Sequence, residues 1–171
     1  MDIEIEVITD LKGSEHDLAQ TLAEFWQHQT KDDVRLRFGT FYPPTADRFA
    51  ALLPNFAVLC LAFVILGDQK ILVGHAEAGR FRDQPNWVEI SVATDLYFRQ
   101  QGIAKNLLEA TVLSCRSQGI AGIKANVLPY NTKVIGLINM LHQQIPINCH
   151  YEDSGYLVYT FTFEESLITT P

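Results

Sequence analysis

Basic residues are scarce in this sequence, in which 13 Lys and Arg stand against 20 Asp and Glu and give a net charge of -7 at pH 7. A nucleic-acid interface needs concentrated positive charge that neutralises phosphates. We therefore expect no nucleic-acid partner. The acidity mildly favours a cationic substrate, although a net charge of this size also serves simply to prevent association.

Long apolar runs are also lacking. The longest run, residues 56–66, has the length of a strand and falls short of the roughly 18 residues that a membrane span requires. No charged-then-apolar leader opens the chain, so we expect no membrane partner. A chain of 171 residues is long enough for one domain with a full hydrophobic core.

Cysteine is rare and shows no metal-binding pattern. The three cysteines, Cys60, Cys115 and Cys149, are far apart and form no C-x-x-C pair. Cys60 and Cys115 lie within apolar patterns, which is typical of reduced core residues. We therefore expect no metal site and a reducing, cytoplasmic setting.

The hydrophobic pattern predicts a mixed α/β protein. The predicted strands span residues 3–7, 57–66, 70–80, 87–94, 122–128, 149–152 and 157–163, and the predicted helices span 15–28, 46–53, 103–118 and 131–143. Residues 31–42, which are mixed and aromatic before Pro43 and Pro44, receive no regular element. Strands and helices do not alternate strictly, so the pattern is not that of a doubly wound sheet.

One junction organises the chain: a predicted strand, a short polar loop and the start of a long helix. Free N–H groups at a helix N-terminus, together with the helix dipole, bind anions and above all phosphates. We therefore predict that the segment Arg99 to Lys105 cradles a pyrophosphate. Gly102 stands there without the G-x-G of a dinucleotide fold, and no G-K-[ST] follows, so a Walker-type loop is excluded.

The segment Arg99-Gln100-Gln101-Gly102-Ile103-Ala104 matches [R/Q]-x-x-G-x-[G/A], and it resembles the signature of the GNAT superfamily, which transfers acetyl from acetyl-CoA to amines. Val73-Gly74 and Val127-Leu128-Pro129-Tyr130-Asn131 are similar to two further family motifs. The resemblance is clear over residues 57–163 and weaker over 1–56. It implies one N-acetyltransferase domain, 1–171, with a mixed, mostly antiparallel sheet of about seven strands and helices on both faces.

Two other segments resemble one branch of the superfamily, the bacterial protein-lysine acetyltransferases. These are Tyr151-Glu152-Asp153-Ser154-Gly155 and Val34-Arg35-Leu36-Arg37-Phe38, the second being similar to an L-R-F-F segment of that branch. In the same branch a glutamate lies ten residues before the first motif position and acts as general base. Glu89 lies ten residues before Arg99 and is therefore the candidate catalytic residue. A partly desolvated carboxylate suits proton removal from an ammonium, while the structural alternative is a glutamate that faces solvent by strand alternation.

The resemblance implies acetyl-CoA as cosubstrate and no metal. Its pyrophosphate is expected on the backbone amides of the loop, and its pantetheine arm on the exposed backbone of the preceding strand. Asn131 is expected to hydrogen-bond the cosubstrate, to cap the following helix, or both. The expected cofactor-binding residues are Val92, Ala93, Thr94, Arg99, Gln100, Gln101, Gly102, Ile103, Ala104, Lys105 and Asn131.

The general acid is the weakest part of the match. Many relatives carry a tyrosine about seven residues after the motif asparagine, where this chain has Ile138. His75, Tyr130 and His142 are the substitutes to consider, and a backbone N–H near Val92 or Ala93 is the candidate oxyanion donor. Acidic residues that gather a cationic acceptor, or that are merely solvated, are Asp32, Asp33, Asp47, Glu77 and Asp83.

The expected function is acetyl transfer from acetyl-CoA to a protein lysine or a small amine, by direct attack in a ternary complex, in a monomer or homodimer. The alternative from another class is a non-catalytic module that binds or senses acetyl-CoA. A third interpretation is a nucleotide-binding domain unrelated to CoA.

Overall fold

The computed structural model describes residues 2–142, 147–152 and 154–163. The elements in chain order are β1 (Ile3–Ile8), α1 (Glu15–Gln27), α2 (Lys31–Phe38), α3 (Ala46–Leu52), β2 (Phe56–Leu66), β3 (Gln69–Arg80), β4 (Trp87–Thr94), α4 (Ile103–Ser117), β5 (Gly122–Val127), α5 (Thr132–His142), β6 (Ile147–Tyr151) and β7 (Leu157–Thr162). The predicted end of the last helix at Gln143 and part of the predicted β6–β7 turn, Asp153, lie outside the described residues. None of the described helices is long and apolar enough to cross a membrane.

The seven strands form one sheet in the order β1-β2-β3-β4-β5-β7-β6. All neighbouring strands are antiparallel except β4 and β5, which are parallel. The expected mixed, mostly antiparallel sheet of about seven strands is therefore confirmed. Strands β2 and β3, and likewise β6 and β7, are consecutive in the chain and pair as antiparallel neighbours.

Helices cover both faces of the sheet, as expected. On one face, Leu59 and Leu61 of β2 pack in a buried cluster with Trp26 of α1. On the other face, Cys60 of β2 belongs to a second buried cluster that includes Leu107 of α4. Because β2 is buried on both faces, its sequence is a continuous apolar run and does not alternate.

The prediction for residues 31–42 is wrong, because the first part of this stretch forms α2. Three helices, and not two, therefore precede β2. The Thr30 side chain caps α2 by accepting a hydrogen bond from the Asp33 N–H, and Gly39, with φ of 68°, ends it. Val34 is the one residue of α2 that is buried, so no apolar stripe marks the helix. Its caps are the signal that the sequence does carry.

The parallel pair β4–β5 is short, and this shapes the site. The two strands pair from Trp87–Gly122 to Glu89–Lys124, and within the described part of the chain the pairing stops there. β4 continues to Thr94 with β3 on one side, while β5 stays paired with β7. The backbone of β4 after Glu89 is therefore free on the β5 side and can bind a ligand through its N–H and C=O groups.

Candidate active site

The loop between β4 and α4 has the geometry of an anion site. Gly102 immediately precedes α4 with φ of 80°, and Gln100 also adopts a positive φ, of 63°. Within the part of the chain that the structure describes, no side chain caps the N-terminus of α4. The N–H groups of its first turn thus have no capping side chain among the residues that the structure describes. A Cβ on Gly102 would meet nothing within 4 Å, so the space in front of these groups is open.

Arg99 does not point freely into this space, because it joins the loop to α2. Its Nη2 lies 2.7 Å from Asp33 Oδ2, and its Nε donates to the Thr94 carbonyl at 3.3 Å. Burial raises the pKa of Asp33, but the hydrogen bonds from Thr30 and Arg99 and the charge of Arg99 outweigh burial, so this pKa is lowered. The ionised pair fixes the position of α2 relative to the loop.

The side chains of the other predicted cofactor-binding residues differ in their exposure to solvent. Gln100 and Gln101 are exposed, and Ala104 and Lys105 are half-buried. Ile103 is buried in the core, so its side chain is not available to a ligand and only its backbone can contribute. Asn131 caps α5, since its Oδ1 accepts from the Val134 N–H at 3.4 Å.

Thr94, at the free end of β4, carries a hydroxyl that lacks a hydrogen-bond partner among the described residues. Its Oγ1 is buried. The free backbone of β4 leads past this hydroxyl toward the uncapped start of α4. The segment therefore fits a ligand that has amide groups along an extended arm and a phosphate beyond them.

A cleft of about 500 Å³ opens beside the free part of β4. Its floor is formed by the middle of β4 and by β5, and its sides by the end of α2 and by Glu152, Ser154 and Tyr156. The lining residues are Leu36, Arg37, Phe38, Gly39, Glu89, Ile90, Ser91, Asn126, Glu152, Ser154 and Tyr156. The cleft thus lies where the β4–β5 pairing ends.

Glu89, the predicted catalytic residue, lines this cleft. It is exposed, and it accepts a hydrogen bond from Asn126 Nδ2 at 2.9 Å. The carboxylate is therefore in contact with solvent. A general base would be favoured by partial desolvation, which Glu89 does not have here. Asn126, on β5, reaches across to orient it. This contact has no local signal in the sequence, because it joins residues 37 positions apart.

A chain of buried hydrogen bonds lies behind the cleft. Trp26 Nε1 donates to His75 Nε2 at 2.9 Å, and His75 Nδ1 lies 2.7 Å from Glu77 Oε2. An indole N–H can only donate, so the ring proton of His75 is on Nδ1 and is donated to Glu77. Arg37 Nη2 and Ser91 Oγ each lie 2.5 Å from Glu77 Oε1. The chain thus connects α1 to the floor of the cleft.

Glu77 is the centre of this chain and is buried, with a side chain 5% exposed. Burial raises its pKa, but the hydrogen bond from His75 and the charge and hydrogen bond of Arg37 lower it well below its ordinary value of 4.5. Glu77 was a candidate for gathering a cationic acceptor from solvent, and its burial makes that expectation wrong. The available signal was the polar pair His75 and Glu77, which alternates with alanine in a strand and so shares one face.

The other acids considered for a cationic acceptor do not form one cluster. Asp32 is exposed and pairs with Arg35 at 3.6 Å, while Asp33 is paired with Arg99. Asp47 and Asp83 are exposed and are not part of the cleft lining. The carboxylates that do line the cleft are Glu89 and Glu152.

None of the three candidates for the general acid, His75, Tyr130 and His142, lines the cleft. His75 is buried, with its ring nitrogens bound to Trp26 and Glu77. Tyr130 accepts a hydrogen bond from Arg35 at 3.3 Å, and His142 Nδ1 accepts one from the Ile147 N–H at 3.1 Å. Ile138, at the position where many relatives have tyrosine, is 3% exposed and belongs to the core.

A model of the Acetyltransferase (GNAT) family matches residues 18–142 of this chain. A search of curated protein sequences finds no match. The fold is similar to the GNAT domain of S. lividans PAT, with a TM-score of 0.73 and 20% identity, covering 94% of this chain and 90% of that chain.

Two similar structures contain cosubstrate or product. One is a GNAT superfamily phosphinothricin acetyltransferase from Sinorhizobium meliloti in complex with AcCoA, with a TM-score of 0.69 and 18% identity, covering 100% of this chain and 94% of that chain. The other is the diaminobutyrate acetyltransferase EctA from Paenibacillus lautus in complex with L-2,4-diaminobutyric acid and coenzyme A, with a TM-score of 0.65 and 16% identity, covering 96% and 99%. At these identities the likeness shows the fold.

The ionised state of buried Glu77 predicts a pH-dependent contribution to stability. We expect Glu77→Gln to lower the free energy of unfolding by about 1–3 kcal/mol at neutral pH, because buried donors lose a charged acceptor. The higher free energy of unfolding of wild type relative to Glu77→Gln should be fully present above pH 4.5, the ordinary glutamate pKa. It should shrink as the pH falls below this value, because Glu77 takes up a proton there in the unfolded chain and not in the folded one.

Denaturant unfolding from neutral pH down to about pH 3 measures this difference. Asp83→Asn, at an exposed loop position, is the control and should stay within about 0.5 kcal/mol of wild type throughout. A difference between wild type and Glu77→Gln that does not change with pH would contradict an ionised Glu77.

Proposed function

Because the chain belongs to the GNAT acetyltransferase family, we propose that it is an N-acetyltransferase in which an amine attacks acetyl-CoA directly within a ternary complex. The observation that carries the proposal is the separation of β4 from β5, which leaves free strand backbone next to an exposed carboxylate, Glu89. The complexes of similar structures with AcCoA, and with coenzyme A and a diamino acid, support this cosubstrate and an amine acceptor.

Acetyl-CoA supplies an activated thioester when it is bound. The N–H groups from Gln100 to Lys105 hold its pyrophosphate at the positive end of α4, and Lys105 adds a charge from the first turn. The free backbone of Val92, Ala93 and Thr94 holds the pantetheine arm by strand-like hydrogen bonds. Arg99 acts in this scheme by holding the loop against α2 through Asp33.

Glu89 is the general base of the proposed reaction. An ammonium must lose a proton before its nitrogen can attack, and a carboxylate within hydrogen-bond reach can accept that proton. Asn126 keeps the carboxylate turned toward the cleft through its hydrogen bond to Oε1. A backbone N–H near Val92 or Ala93 is our candidate for stabilising the negative charge that develops on the thioester oxygen.

The charges of the cleft favour a cationic acceptor. The charge of Arg37 is balanced by Glu77, so the exposed carboxylates Glu89 and Glu152 dominate the field that an acceptor meets. We propose a protein lysine or a small amine. Because of the motifs in α2 and in residues 151–155, we prefer an acceptor of the kind used by the bacterial protein-lysine acetyltransferase branch.

The proposed setting is cytoplasmic, with the protein acting as a monomer or homodimer. Cys60 and Cys115 are buried and unpaired among the described residues, which suits a reducing compartment.

A non-catalytic acetyl-CoA-binding module is the second candidate. One observation favours it: none of the expected acids, His75, Tyr130 or His142, lines the cleft, and Ile138 is buried. Such a module would bind acetyl-CoA without releasing CoA thiol.

Substitution of Glu89 separates the two functions. We expect Glu89→Gln to lower kcat for amine acetylation by about 10²-fold or more, because the base is lost, while the Kd for acetyl-CoA stays unchanged. Thiol release with a panel of amines measures kcat, and titration calorimetry measures Kd. Glu152→Gln, which removes the other exposed carboxylate of the cleft, is the matched control and should raise the amine KM with little change in kcat.

A Glu89→Gln variant with undiminished kcat would show that Glu89 is not the general base. A wild-type protein that binds acetyl-CoA but releases no thiol across the panel would establish the binding module instead. A protein that binds ATP or NAD but does not bind acetyl-CoA would support the third interpretation, a nucleotide-binding domain unrelated to CoA.

Gly102 allows a test of the pyrophosphate cradle. We expect Gly102→Ala to raise the Kd for acetyl-CoA about tenfold or more, because the new Cβ enters the open space at the start of α4. Gly119, at the other end of the same helix, is the matched control, since it has φ of 71° and also nothing within 4 Å.

Both alanine variants strain a left-handed backbone position, so both should lose similar stability, about 1–2 kcal/mol. Calorimetry with acetyl-CoA and denaturant unfolding separate the two effects. Equal affinities of Gly102→Ala and Gly119→Ala for acetyl-CoA would show that the cosubstrate binds elsewhere.

A further inference from the structure

Ser91 is a polar residue of the cleft floor that has no role in the acetyl transfer described above. It follows Glu89 by two residues on β4, so both side chains lie on the same face of the sheet, about 7 Å apart along the strand. Both line the cleft. The register partner of Ser91 on β3 is Glu77, the buried carboxylate. Ser91 thus lies between the buried hydrogen-bond chain and the cleft.

Hydrogen bonding fixes the direction of the Ser91 hydroxyl. An ionised carboxylate can only accept, so the Ser91 O–H must donate to Glu77 Oε1, which lies 2.5 Å away. The other partners of Glu77, Arg37 and His75, are also donors. With its proton held inward, the Ser91 oxygen offers only lone pairs to the cleft. Glu89 is likewise an acceptor, so this part of the floor carries two acceptors side by side.

We propose that Ser91, oriented by buried Glu77, selects primary amines by accepting a hydrogen bond from the one acceptor N–H that survives the reaction. This rests on the proposed N-acetyltransferase function.

The proton count of the reaction gives the selectivity. A primary ammonium has three N–H bonds. When the C–N bond forms and the C–S bond breaks, one proton goes to Glu89, one leaves with the departing thiol and one stays on the product amide. Ser91 can hold that last N–H from binding to product. A secondary amine ends as an amide without N–H, and an alcohol as an ester, so either leaves the Ser91 oxygen unpaired near the point of transfer.

Primary amines and their N-methyl forms test this directly. The probes are Nα-acetyl-lysine amide, as a lysine side chain, with its Nε-methyl derivative, and putrescine, as a small diamine, with N,N′-dimethylputrescine, in which both amino groups are secondary. For wild type we expect kcat/KM for the better primary amine to exceed that of its methyl derivative by about tenfold or more. For Ser91→Ala we expect this ratio to fall toward one, with an unchanged Kd for acetyl-CoA, and for Ser91→Thr, which keeps a hydroxyl, we expect it to be retained.

Glu77→Gln and Ser154→Ala complete the set. A glutamine side chain presents an N–H as well as a C=O, so it no longer forces the Ser91 proton to point inward, and Glu77→Gln should also lower the ratio. Ser154→Ala removes another hydroxyl of the cleft and should leave the ratio as in wild type. Unfolding curves for all variants identify loss of fold, which would reduce kcat/KM for both amines together and leave their ratio intact.

Binding of the amines to the protein without acetyl-CoA gives a second readout, by calorimetry. Weaker binding of the primary amine to Ser91→Ala than to wild type supports the proposal. If wild type acetylates primary amines and Ser91→Ala keeps both the full ratio and the full affinity, the role of Ser91 is overturned and the proposed function stands. If wild type acetylates none of the amines, the proposed function fails, and equal amine binding by wild type and Ser91→Ala would then overturn the role of Ser91 as well.

Discussion

The separation of β4 from β5 is the constraint on which the rest of this structure depends. A seven-stranded sheet whose central pair parts after Glu89–Lys124 leaves peptide groups of β4 unpaired in its interior, which is costly unless water or a ligand binds them. The same parting places Glu89 at the fork, brings Asn126 within reach of it from the other strand, and directs β4 toward the open start of α4. Cosubstrate groove, base and anion cradle are thus consecutive parts of one strand–loop–helix segment.

Charge and hydrogen bonding hold the acceptor side of the cleft in place. Buried Glu77 connects Arg37 at the end of α2 with Ser91 on β4, and Asp33 at the start of α2 is paired with Arg99 of the loop. α2 is therefore fastened at both ends to the segment that forms the site. A helix with one buried residue has little apolar packing of its own, and the two ion pairs that fasten it, Arg37–Glu77 and Asp33–Arg99, are both partly buried.

Much of the fold could be predicted because its elements are long and strongly apolar. The bounds of β4 were predicted as observed, and those of β3 and α4 within one residue, since apolar run length and helical spacing are local signals. α2 was not predicted, because Val34 is its one buried residue and one residue makes no apolar stripe at helical spacing. The Trp26–His75–Glu77 chain escaped because its key contact joins residues 49 positions apart. The environments of Glu77 and Asp33 could not be predicted for the same reason, since each is paired with an arginine from another element.

Amide hydrogen exchange with and without acetyl-CoA tests the central claim most directly, because it reads the backbone groups that the separation of β4 and β5 leaves free. We predict that acetyl-CoA slows exchange in residues 90–94 of β4 and in residues 102–105 at the start of α4, while the paired strands β1 and β2 stay unchanged. Slower exchange elsewhere, with these two segments unaffected, would contradict a cosubstrate site at the separation of the two strands.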